Sequence, residues 1–336
     1  MLLPKIAVTG ATGFVGLSLA RELALRGYPV IALVRNMSSA LSQEIEQRVI
    51  GDISELLLDS QKEINKKSYN ISIEKAKLLD DIDVVIHCAG RAHIMKDVAD
   101  NPLAEFRRVN VQGTLNIARL AAQKGIKQFI FISSIKVNGE TTDSNIPFSE
   151  NDECRPRDAY GISKYEAEQG LRNLAKETDM KITIIRPPLI YGPGVKANFA
   201  KLIDLVRIGL PLPLGAINNK RSFIALDNLI DFIILCVNNP LSFNELFLIS
   251  DCEDISTTDL IIKIANAFRK KPILIPVPNG FATYFLSLIG KADISHRLFK
   301  SLIIDCSKAC NVLKWKPLIS IDEELRRMAS ENSEFF

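Results

Sequence analysis

The stretch Thr9-Gly10-Ala11-Thr12-Gly13-Phe14-Val15-Gly16 follows the apolar run Ile6-Ala7-Val8 and opens an amphipathic segment. This order of strand, glycine turn and helix is the one that a dinucleotide site requires. Gly10 would allow a tight turn, Gly13 would let a pyrophosphate approach the backbone, and Gly16 would let the helix pack closely on the strand. Ordinary strand-to-helix turns also contain such glycines, so the remainder of the chain has to decide between the two interpretations.

The composition is that of an ordinary globular protein. The 336 residues are 47% hydrophobic and 24% charged, which suffices for one large core or two modest ones, and we expect two lobes. The formal net charge is +3, and lysines and arginines are spread along the chain. Because no basic stripe stands out, we expect no nucleic-acid partner.

Cysteine usage and hydropathy indicate the cellular compartment that we expect for the protein. The six cysteines include no CxxC pair, and Cys88 and Cys236 lie in apolar runs, so buried reduced thiols of a cytoplasmic protein are expected in preference to a metal site or disulfides. The N-terminus leads into the first strand without a secretory signal. The longest late apolar run, Phe281 to Ile289, is far shorter than the ~20 residues of a spanning helix, so we expect no membrane span.

A basic residue ends the second strand. Val30 to Val34 is a continuous apolar run, as in a parallel strand covered on both faces, and Arg35 follows it directly. Dinucleotide-binding folds usually place an acidic residue here to hold the ribose 2′-hydroxyl of NAD, whereas an arginine suits the 2′-phosphate of NADP. Arg35 therefore favours NADP over NAD, and the alternative is a solvated arginine at a strand end.

Small and polar residues stand at further strand ends. Asp52 is placed to accept a hydrogen bond from an adenine amino group. Val84 to His87 is predicted to be a buried strand, and the small residues Ala89 and Gly90 after it would let the backbone lie against a cofactor. His87 and His93 lack a second pair of ligands at a useful spacing, which favours ordinary hydrogen-bonded or surface histidines over metal ligands.

The middle of the chain adds an unusual asparagine and two serines. Asn101 to Gln123 is predicted to be one long helix, in which Asn110 is unfavourable by propensity and is expected to hydrogen-bond inward. Phe129 to Ile132 is the next predicted strand. Ser133 and Ser134 follow at its C-terminal end, the edge at which open α/β sheets bind ligands.

Tyr160 and Lys164 are four residues apart in a predicted helix and so share one face. Chance alone produces such a pair readily in a chain of this composition. The pair indicates a site because it comes after the strand that ends in Ser134, in a chain that opens with a glycine turn. A phenol with an ordinary pKa near 10 is a poor base at neutral pH, and the Lys164 ammonium together with a nearby oxidised nicotinamide would favour the phenolate.

The second half of the chain has a mixed pattern. Lys181 to Ile185 is one more predicted buried strand, and the proline- and glycine-rich stretch from Arg186 to Gly194 indicates that the chain then leaves the sheet. We predict an α/β fold: a Rossmann-like doubly wound parallel sheet in residues 1–188, and a smaller mixed α/β substrate lobe in residues 189–336, some of whose segments can return to the first sheet.

These motifs occur together in a known superfamily. TGATGFVG (9–16), NVQGT (110–114), Ser134, YGISK (160–164) and RPPLIYGPG (186–194) resemble the extended short-chain dehydrogenases/reductases, in particular the nucleotide-sugar branch of the NAD-dependent epimerase/dehydratase family. The resemblance continues to DCSKACNVLKWKP (305–317). SSIKVNGE (133–140) and the segment from GVKANF to RSF (194–223) further resemble a bacterial subgroup described as UDP-glucose 4-epimerase-like, which includes reductases that make UDP-N-acetylquinovosamine.

The resemblance implies a site at the matching positions. Ser134 and Tyr160 would hydrogen-bond the sugar C4 oxygen, with Tyr160 as acid/base, Lys164 holding the nicotinamide ribose and Asn110 in support. Further substrate contacts are implied for Lys136, Asn198, Arg221 and Arg297. The cofactor contacts expected from the motifs are Gly10, Thr12, Gly13, Phe14, Val15, Gly16, Arg35, Asp52, Ile53, Ala89, Gly90, Tyr160, Lys164 and Pro187, and no metal ligand is expected.

Three functions follow from the resemblance, in a definite order. Because Arg35 favours NADP, the first is a UDP-4-keto-6-deoxy-N-acetylhexosamine 4-reductase of surface-polysaccharide sugar biosynthesis. The second is a UDP-glucose or UDP-N-acetylglucosamine 4-epimerase that retains NAD, and the third is a non-catalytic dinucleotide-binding regulator. A dehydratase is disfavoured because Ile135-Lys136 replaces the acidic pair of that branch. Family habit implies a homodimer formed through the helices that contain 101–123 and 158–176.

Overall fold

A computed structural model of the chain describes residues 2–56, 77–92, 100–143, 146–278 and 298–333. The strands are β1 (Ile6–Thr9), β2 (Val30–Val34), β3 (Glu46–Val49), β4 (Val84–His87), β5 (Gln128–Ile132), β6 (Lys181–Arg186), β7 (Leu189–Tyr191), β8 (Arg221–Ala225), β9 (Leu246–Leu248) and β10 (Asp254–Ile255). The helices are α1 (Phe14–Leu25), α2 (Pro102–Phe106), α3 (Thr114–Gln123), α4 (Ala159–Glu177), α5 (Ala197–Ile208), α6 (Leu226–Cys236), α7 (Thr257–Ala267), α8 (Ser307–Val312) and α9 (Ile321–Ser333).

The larger sheet confirms the predicted Rossmann-like fold. Its strand order is β3-β2-β1-β4-β5-β6-β9, and β1 to β6 pair in parallel. Every residue of β1, β2, β4 and β5 is buried, which explains their continuous apolar sequences. Thr9 pairs with Leu33 on one side and His87 on the other, so the strand order reverses about β1. Ligands bind doubly wound sheets beside such a reversal, at the C-terminal strand ends.

The second sheet is small and mixed, as predicted for the substrate lobe. Its order is β10-β8-β7, with β7 parallel and β10 antiparallel to β8. Three aromatic rings form part of the core beside it: the Tyr191 and Phe199 centroids are 5.4 Å apart, and Phe223 meets both rings edge-on. The Tyr191 hydroxyl donates to the buried Asp251 carboxylate at 2.8 Å, which satisfies the polar end of the ring.

The chain divides into two compact units. The Rossmann unit comprises Met1–Val137, Cys154–Arg186 and Ile230–Phe247, and the smaller unit comprises Asn138–Glu153, Pro187–Leu229 and Leu248–Phe336. A segment of the Rossmann unit thus ends at Arg186, the last residue of β6, and the domain boundary that we expected after residue 188 stays a prediction. Part of α6 and most of β9 return to the Rossmann unit, where the Glu245 carbonyl accepts from the Ile184 amide at 2.9 Å.

The long helix predicted from Asn101 to Gln123 contains an irregular turn. The Asn101 side chain caps α2 by accepting from the Ala104 amide at 3.1 Å, and α3 ends at Gln123. Between them, Arg107–Gly113 forms a π-helical segment that includes Asn110. Widened turns of this kind are rare and occur frequently at functional sites. No helix within the described ranges has both the length and the apolar character needed to cross a membrane.

The expectation that the cysteines are buried is wrong for part of the chain. Cys236 is buried on α6, but Cys252 is exposed, and Cys306 and Cys310 are half-buried. The reason is their location, because Cys252 follows β9 in a turn while the other two lie at the start of α8 and within it.

Candidate active site

The glycine turn leaves room at the start of α1. Gly13 caps the helix, and its amide donates to the Gly10 carbonyl at 2.9 Å. α1 has neither a side-chain cap nor an acidic residue in its first turn, and the first amides of any helix lack an intrahelical acceptor. These amides and the positive end of the helix dipole suit an anion, so the turn fits the diphosphate of a dinucleotide.

Two of the glycines are required by close backbone contacts. Gly10 has φ +66°, and a Cβ there would lie 2.7 Å from the Ala89 amide nitrogen. A Cβ on Gly16 would lie 2.2 Å from the Gly10 carbonyl oxygen. Both distances are below any real contact, so the turn, the helix and the segment after β4 pack together only with glycine at these positions.

His87 is a structural residue that connects the strand ends. Its Nδ1 lies 2.8 Å from Thr9 Oγ1, and its Nε2 lies 2.9 Å from Thr114 Oγ1. The Thr114 hydroxyl donates its one proton to the Asn110 carbonyl at 2.7 Å, so His87 Nε2 is the donor and Nδ1 the acceptor. Burial lowers the pKa of His87 to about 3, which keeps the ring neutral. The prediction of an ordinary hydrogen-bonded histidine is confirmed.

Ser134, Tyr160 and Lys164 lie together in the Rossmann unit. α4 begins after Asp158, whose carboxylate accepts from the Gly161 amide at 2.7 Å, and this places Tyr160 in the first helical turn. Ser134 follows β5 and hydrogen-bonds the Tyr160 hydroxyl. One turn further along α4, Lys164 Nζ donates to the Ile132 carbonyl at 2.8 Å and lies 6.0 Å from the centre of the Tyr160 ring.

Burial shifts the pKa values of this pair in opposite directions. It raises the pKa of Tyr160 to about 12, and the hydrogen bond from Ser134 offsets this only in part. It lowers the pKa of Lys164 to about 8, although the ammonium also lies 4.5 Å above the Phe131 ring. Desolvation of the phenol thus outweighs its polar neighbours in the chain by itself. The Tyr160 phenol therefore keeps its proton at neutral pH. The expectation that Lys164 and an oxidised nicotinamide together favour the phenolate stays a prediction.

Asn110 hydrogen-bonds inward, as predicted. Its Oδ1 accepts from the Arg91 amide at 2.7 Å, and its Nδ2 donates to the Arg91 carbonyl at 3.1 Å and to Ser163 Oγ at 2.9 Å. The Ser163 hydroxyl in turn donates to the Tyr160 carbonyl at 2.8 Å. The π-helical segment thus fixes both the loop after β4 and the first turn of α4, and Asn110 acts on Tyr160 through the backbone.

A buried ion pair behind the site was not foreseen from the sequence. Glu168 and Arg186 are almost inaccessible and form two contacts, of 2.9 Å from Nε and 2.5 Å from Nη2. The Ser133 hydroxyl donates to the same carboxylate at 2.5 Å, so Ser133 is structural and the neighbouring Ser134 faces Tyr160. The available signal was Glu168 at four residues from Lys164, one helical turn along the same face.

Asp52 and Arg35, two predicted cofactor residues, differ in their polar contacts. Asp52 caps the short turn after it: its carboxylate accepts from the Ser54 amide and hydroxyl, and pairs with Arg108 at 2.9 Å. Despite burial, these partners lower the pKa of Asp52 to about 2. Arg35 is exposed at the end of β2, on the same sheet edge as Gly10, and makes no hydrogen bond or ion pair with other residues that the structure describes.

The remaining cofactor positions follow strand or helix ends. Thr12 and Gly13 are exposed in the turn, Phe14, Val15 and Gly16 form the first turn of α1, and Ala89 and Gly90 follow β4. A Cβ on Gly90 would lie 3.2 Å from Asn110 Oδ1 and 3.4 Å from Lys164 Nζ, so this loop borders the Tyr160 site. Ile53 begins the turn that Asp52 caps, and Pro187 is buried directly after β6.

The predicted substrate residues are distributed over the two units. Lys136, in the Rossmann unit, forms an ion pair with Asp158, the residue that caps α4. In the smaller unit, Asn198 is exposed near the start of α5, and Arg221 begins β8 with its Nη1 donating to the Lys300 carbonyl at 3.0 Å. Arg297 lies outside the described residues, as does His93.

Comparison with known proteins shows which family the chain belongs to. The model of the NAD dependent epimerase/dehydratase family matches residues 6–249. A UDP-glucose 4-epimerase of Vibrio cholerae is 43% identical over 333 residues, which cover 97% of this chain and 95% of that protein. A dTDP-4-dehydro-6-deoxyglucose reductase of Escherichia coli is 26% identical over 96% of each chain.

A solved structure shows the same fold. The structure of MoeE5 in complex with UDP-glucuronic acid and NAD has a TM-score of 0.76 with this chain at 22% identity. The match covers 99% of this chain and 100% of that one. The family match spans more than half of the sequence and includes the glycine turn, Ser134, Tyr160 and Lys164. The chain therefore belongs to the NAD-dependent epimerase/dehydratase family of NAD(P)-dependent enzymes.

Proposed function

We propose that this protein is an NADPH-dependent reductase that acts at C4 of a UDP-linked 4-keto-6-deoxy-N-acetylhexosamine, a step of surface-polysaccharide sugar biosynthesis. The observation that carries the choice of reductase is Arg35. It stands at the end of β2 as an exposed cation without a partner among the described residues, where NAD-binding members of dinucleotide folds place an acid. A freely supplied NADPH suits a reductase, whereas an epimerase retains its NAD and regenerates it within each turnover.

The residues present fit a dinucleotide. The amides at the start of α1 and the close backbone packing at Gly10 and Gly16 suit the diphosphate, and Arg35 would hold the 2′-phosphate. Ala89, Gly90 and Lys164 would border the nicotinamide end. When bound, the reduced dinucleotide supplies the hydride that reduces the sugar carbonyl.

Tyr160 is the proton donor of the proposed reaction. As the C4 carbonyl is reduced, negative charge develops on its oxygen, and the neutral Tyr160 hydroxyl donates its proton there. The Ser134 hydroxyl donates a hydrogen bond to the same oxygen and so stabilises the developing charge. The Lys164 ammonium stabilises the Tyr160 phenolate that remains until solvent returns a proton. Positioned proton transfer of this kind contributes about 10² to 10⁴ in rate.

The substrate class rests on the family resemblance and on residue chemistry. Asn198 and Arg221 stand at positions that contact the nucleotide diphosphate in related enzymes, and a guanidinium can bind a phosphate through two parallel hydrogen bonds. Lys136 and Arg297 would add further contacts with the UDP-sugar. The Escherichia coli relative, by its name, also reduces a nucleotide-linked 4-dehydro-6-deoxy sugar.

A second candidate function is a UDP-glucose or UDP-N-acetylglucosamine 4-epimerase with tightly bound NAD. The observation that favours it is the name of the Vibrio cholerae relative, at 43% identity. The same Ser134, Tyr160 and Lys164 would serve this reaction, with Tyr160 first accepting and then returning the proton of the C4 hydroxyl. The two functions differ in whether added dinucleotide is consumed.

Steady-state consumption of NADPH and NADH with a UDP-4-keto-6-deoxy-N-acetylhexosamine tests the proposal. We expect a higher kcat/KM with NADPH, and Arg35→Asp should lower it by about 10-fold or more with NADPH but not with NADH, because only NADPH carries the phosphate that Arg35 would bind. Arg269→Asp is the matched control, since it makes the same charge change at an exposed residue of the smaller unit and should leave both rates unchanged.

Turnover of UDP-N-acetylglucosamine or UDP-glucose to the C4 epimer without any added dinucleotide would reject the reductase in favour of the second candidate. Failure of Tyr160→Phe to reduce either activity would reject both and leave a non-catalytic dinucleotide-binding protein. The homodimer and the cytoplasmic location stay predictions.

A further inference from the structure

Three cysteine thiols converge in the smaller unit, outside the site described above. Cys252 lies in the turn after β9, and Cys306 and Cys310 lie at the start of α8 and within it. Their three sulfur atoms are all within 4.8 Å of one another, and the Cys252 and Cys310 sulfurs are 3.9 Å apart. Cys252 is exposed, so solvent reaches the cluster.

The local backbone produces this arrangement. The Cys310 amide donates to the Cys306 carbonyl at 3.1 Å, so these two cysteines are one helical turn apart and present their sulfurs on the same face. The Cys252 amide donates to Ser250 Oγ at 3.2 Å, which orders the turn that carries the third sulfur. Fifty-odd residues separate Cys252 from Cys306, so only the fold brings the three together.

The sulfur spacing matches one shared ion. Three sulfurs bound to a single ion at about 2.3 Å, the usual Zn–S distance, lie about 4 Å from one another in trigonal or tetrahedral geometry. A disulfide would need two of these sulfurs at about 2.05 Å and would leave the third thiol unused. We propose that Cys252, Cys306 and Cys310 bind one thiophilic d¹⁰ cation of the Zn²⁺ type, with solvent at the fourth position.

Metal binding requires all three sulfurs as thiolates. Binding of the ion therefore releases the protons of the thiols to solvent, and all three sulfurs then coordinate as thiolates.

Bound metal would connect the turn after β9 to α8. Asp251, beside Cys252, accepts a hydrogen bond from Asn228 at 2.7 Å, so that turn is anchored to the core of the smaller unit. An ion that binds the folded cluster and not the unfolded chain stabilises the fold in proportion to the logarithm of its concentration above Kd. The proposed role is a structural clamp, and it does not depend on the enzymatic proposal.

Titration of the reduced, chelator-treated full-length protein with Co²⁺ and Cd²⁺ tests this site. We expect sulfur-to-metal charge-transfer absorption that saturates at one ion per chain, competition by Zn²⁺, and a thermal midpoint that rises with the ion. Cys306→Ser and Cys310→Ser should each weaken binding by at least about 10²-fold, more than the loss of an outer-shell partner does. Cys154→Ser, a cysteine of the Rossmann unit, is the matched control and should retain the full absorption.

Circular dichroism of each variant separates loss of the ligand from loss of the fold, and Cys252→Ser provides a third ligand variant at an exposed position. Absorption that persists in Cys306→Ser would overturn the proposal. The proposal would also be overturned if the reduced wild-type protein gave no charge-transfer band with the added metal. This holds equally if mass spectrometry of the air-oxidised protein then shows a Cys252–Cys310 disulfide.

Discussion

Tyr160 and Lys164 show how a single environment assigns different protonation states to neighbouring groups. Lys164 is buried and Tyr160 is half-buried in the Rossmann unit, and desolvation disfavours the charged form of each. The phenol therefore keeps its proton across the physiological range, while the ammonium begins to lose its proton near pH 8. A neutral donor beside a titrating cation is suited to protonating an oxygen as charge develops on it.

This pair predicts how the rate of the proposed reduction depends on pH. Lys164 is charged below its pKa of about 8, so the rate should be constant at lower pH and fall as pH rises through about 8, where the ammonium is lost. The measurement is kcat/KM for the reductive direction between pH 6 and about 10.

Tyr160→Phe is the companion variant for this profile. It removes the proton donor at every pH, so its rate should be lower by at least ~10² throughout while dinucleotide binding is retained. A wild-type profile that stays flat beyond pH 9 would contradict a role for the Lys164 charge.

At the scale of elements, the position of α4 depends on polar contacts as well as on apolar packing. Its first turn is fixed through Asp158 and through the bond from Asn110 to Ser163. Its middle is joined to β6 by the buried pair of Glu168 and Arg186. Because Tyr160 and Lys164 lie between these two attachments on one rigid helix, the geometry of the active site follows from the placement of α4.

Glu168→Gln should destabilise the protein by about 3–5 kcal/mol, because it leaves the buried Arg186 guanidinium without a compensating charge. The free energy of unfolding from denaturant titration measures the loss. Glu166→Gln is the matched control on the same helix: its pair with Arg107 is exposed, and its loss should cost about 0–1 kcal/mol. Equal losses in the two variants would show that the buried pair has no special role.

At the scale of the whole molecule, buried carboxylates make the stability depend on pH. Both Glu324 oxygens lack a hydrogen bond among the described residues, and the nearest Arg327 nitrogen is 3.8 Å away. Burial raises the pKa of Glu324 to about 7, and although Arg327 opposes this, Asp227 and Asp251 add to it. The pKa of Asp251 is also raised by burial, so both groups act in the same direction.

The direction in which stability changes with pH follows from proton binding. Between about pH 4.5 and pH 7 folded Glu324 holds a proton that the unfolded chain has lost, so stability decreases as pH rises through this window. Glu324→Gln should remove this part of the dependence and stabilise the protein at pH 8 by up to about 3 kcal/mol. Thermal midpoints at pH 5 and pH 8 measure it.

Glu323→Gln is the control on the same helix. Backbone and hydroxyl hydrogen bonds from Ser320 lower the pKa of the exposed Glu323, so its loss should not stabilise the protein at high pH. A Glu324→Gln variant that is less stable than the wild type at pH 8 would contradict the assignment.

The amino-acid sequence sufficed to predict the parallel Rossmann sheet, the glycine turn, the serine at the end of β5 and the shared face of Tyr160 and Lys164. These features are encoded locally, by apolar runs, by glycine at positions that exclude a Cβ, and by helical spacing. The folded chain was needed to find the neutral state of Tyr160, the buried pair of Glu168 and Arg186, and the convergence of Cys252 with Cys306 and Cys310. Each of these depends on burial or on contacts between positions far apart in the chain, which no local pattern records.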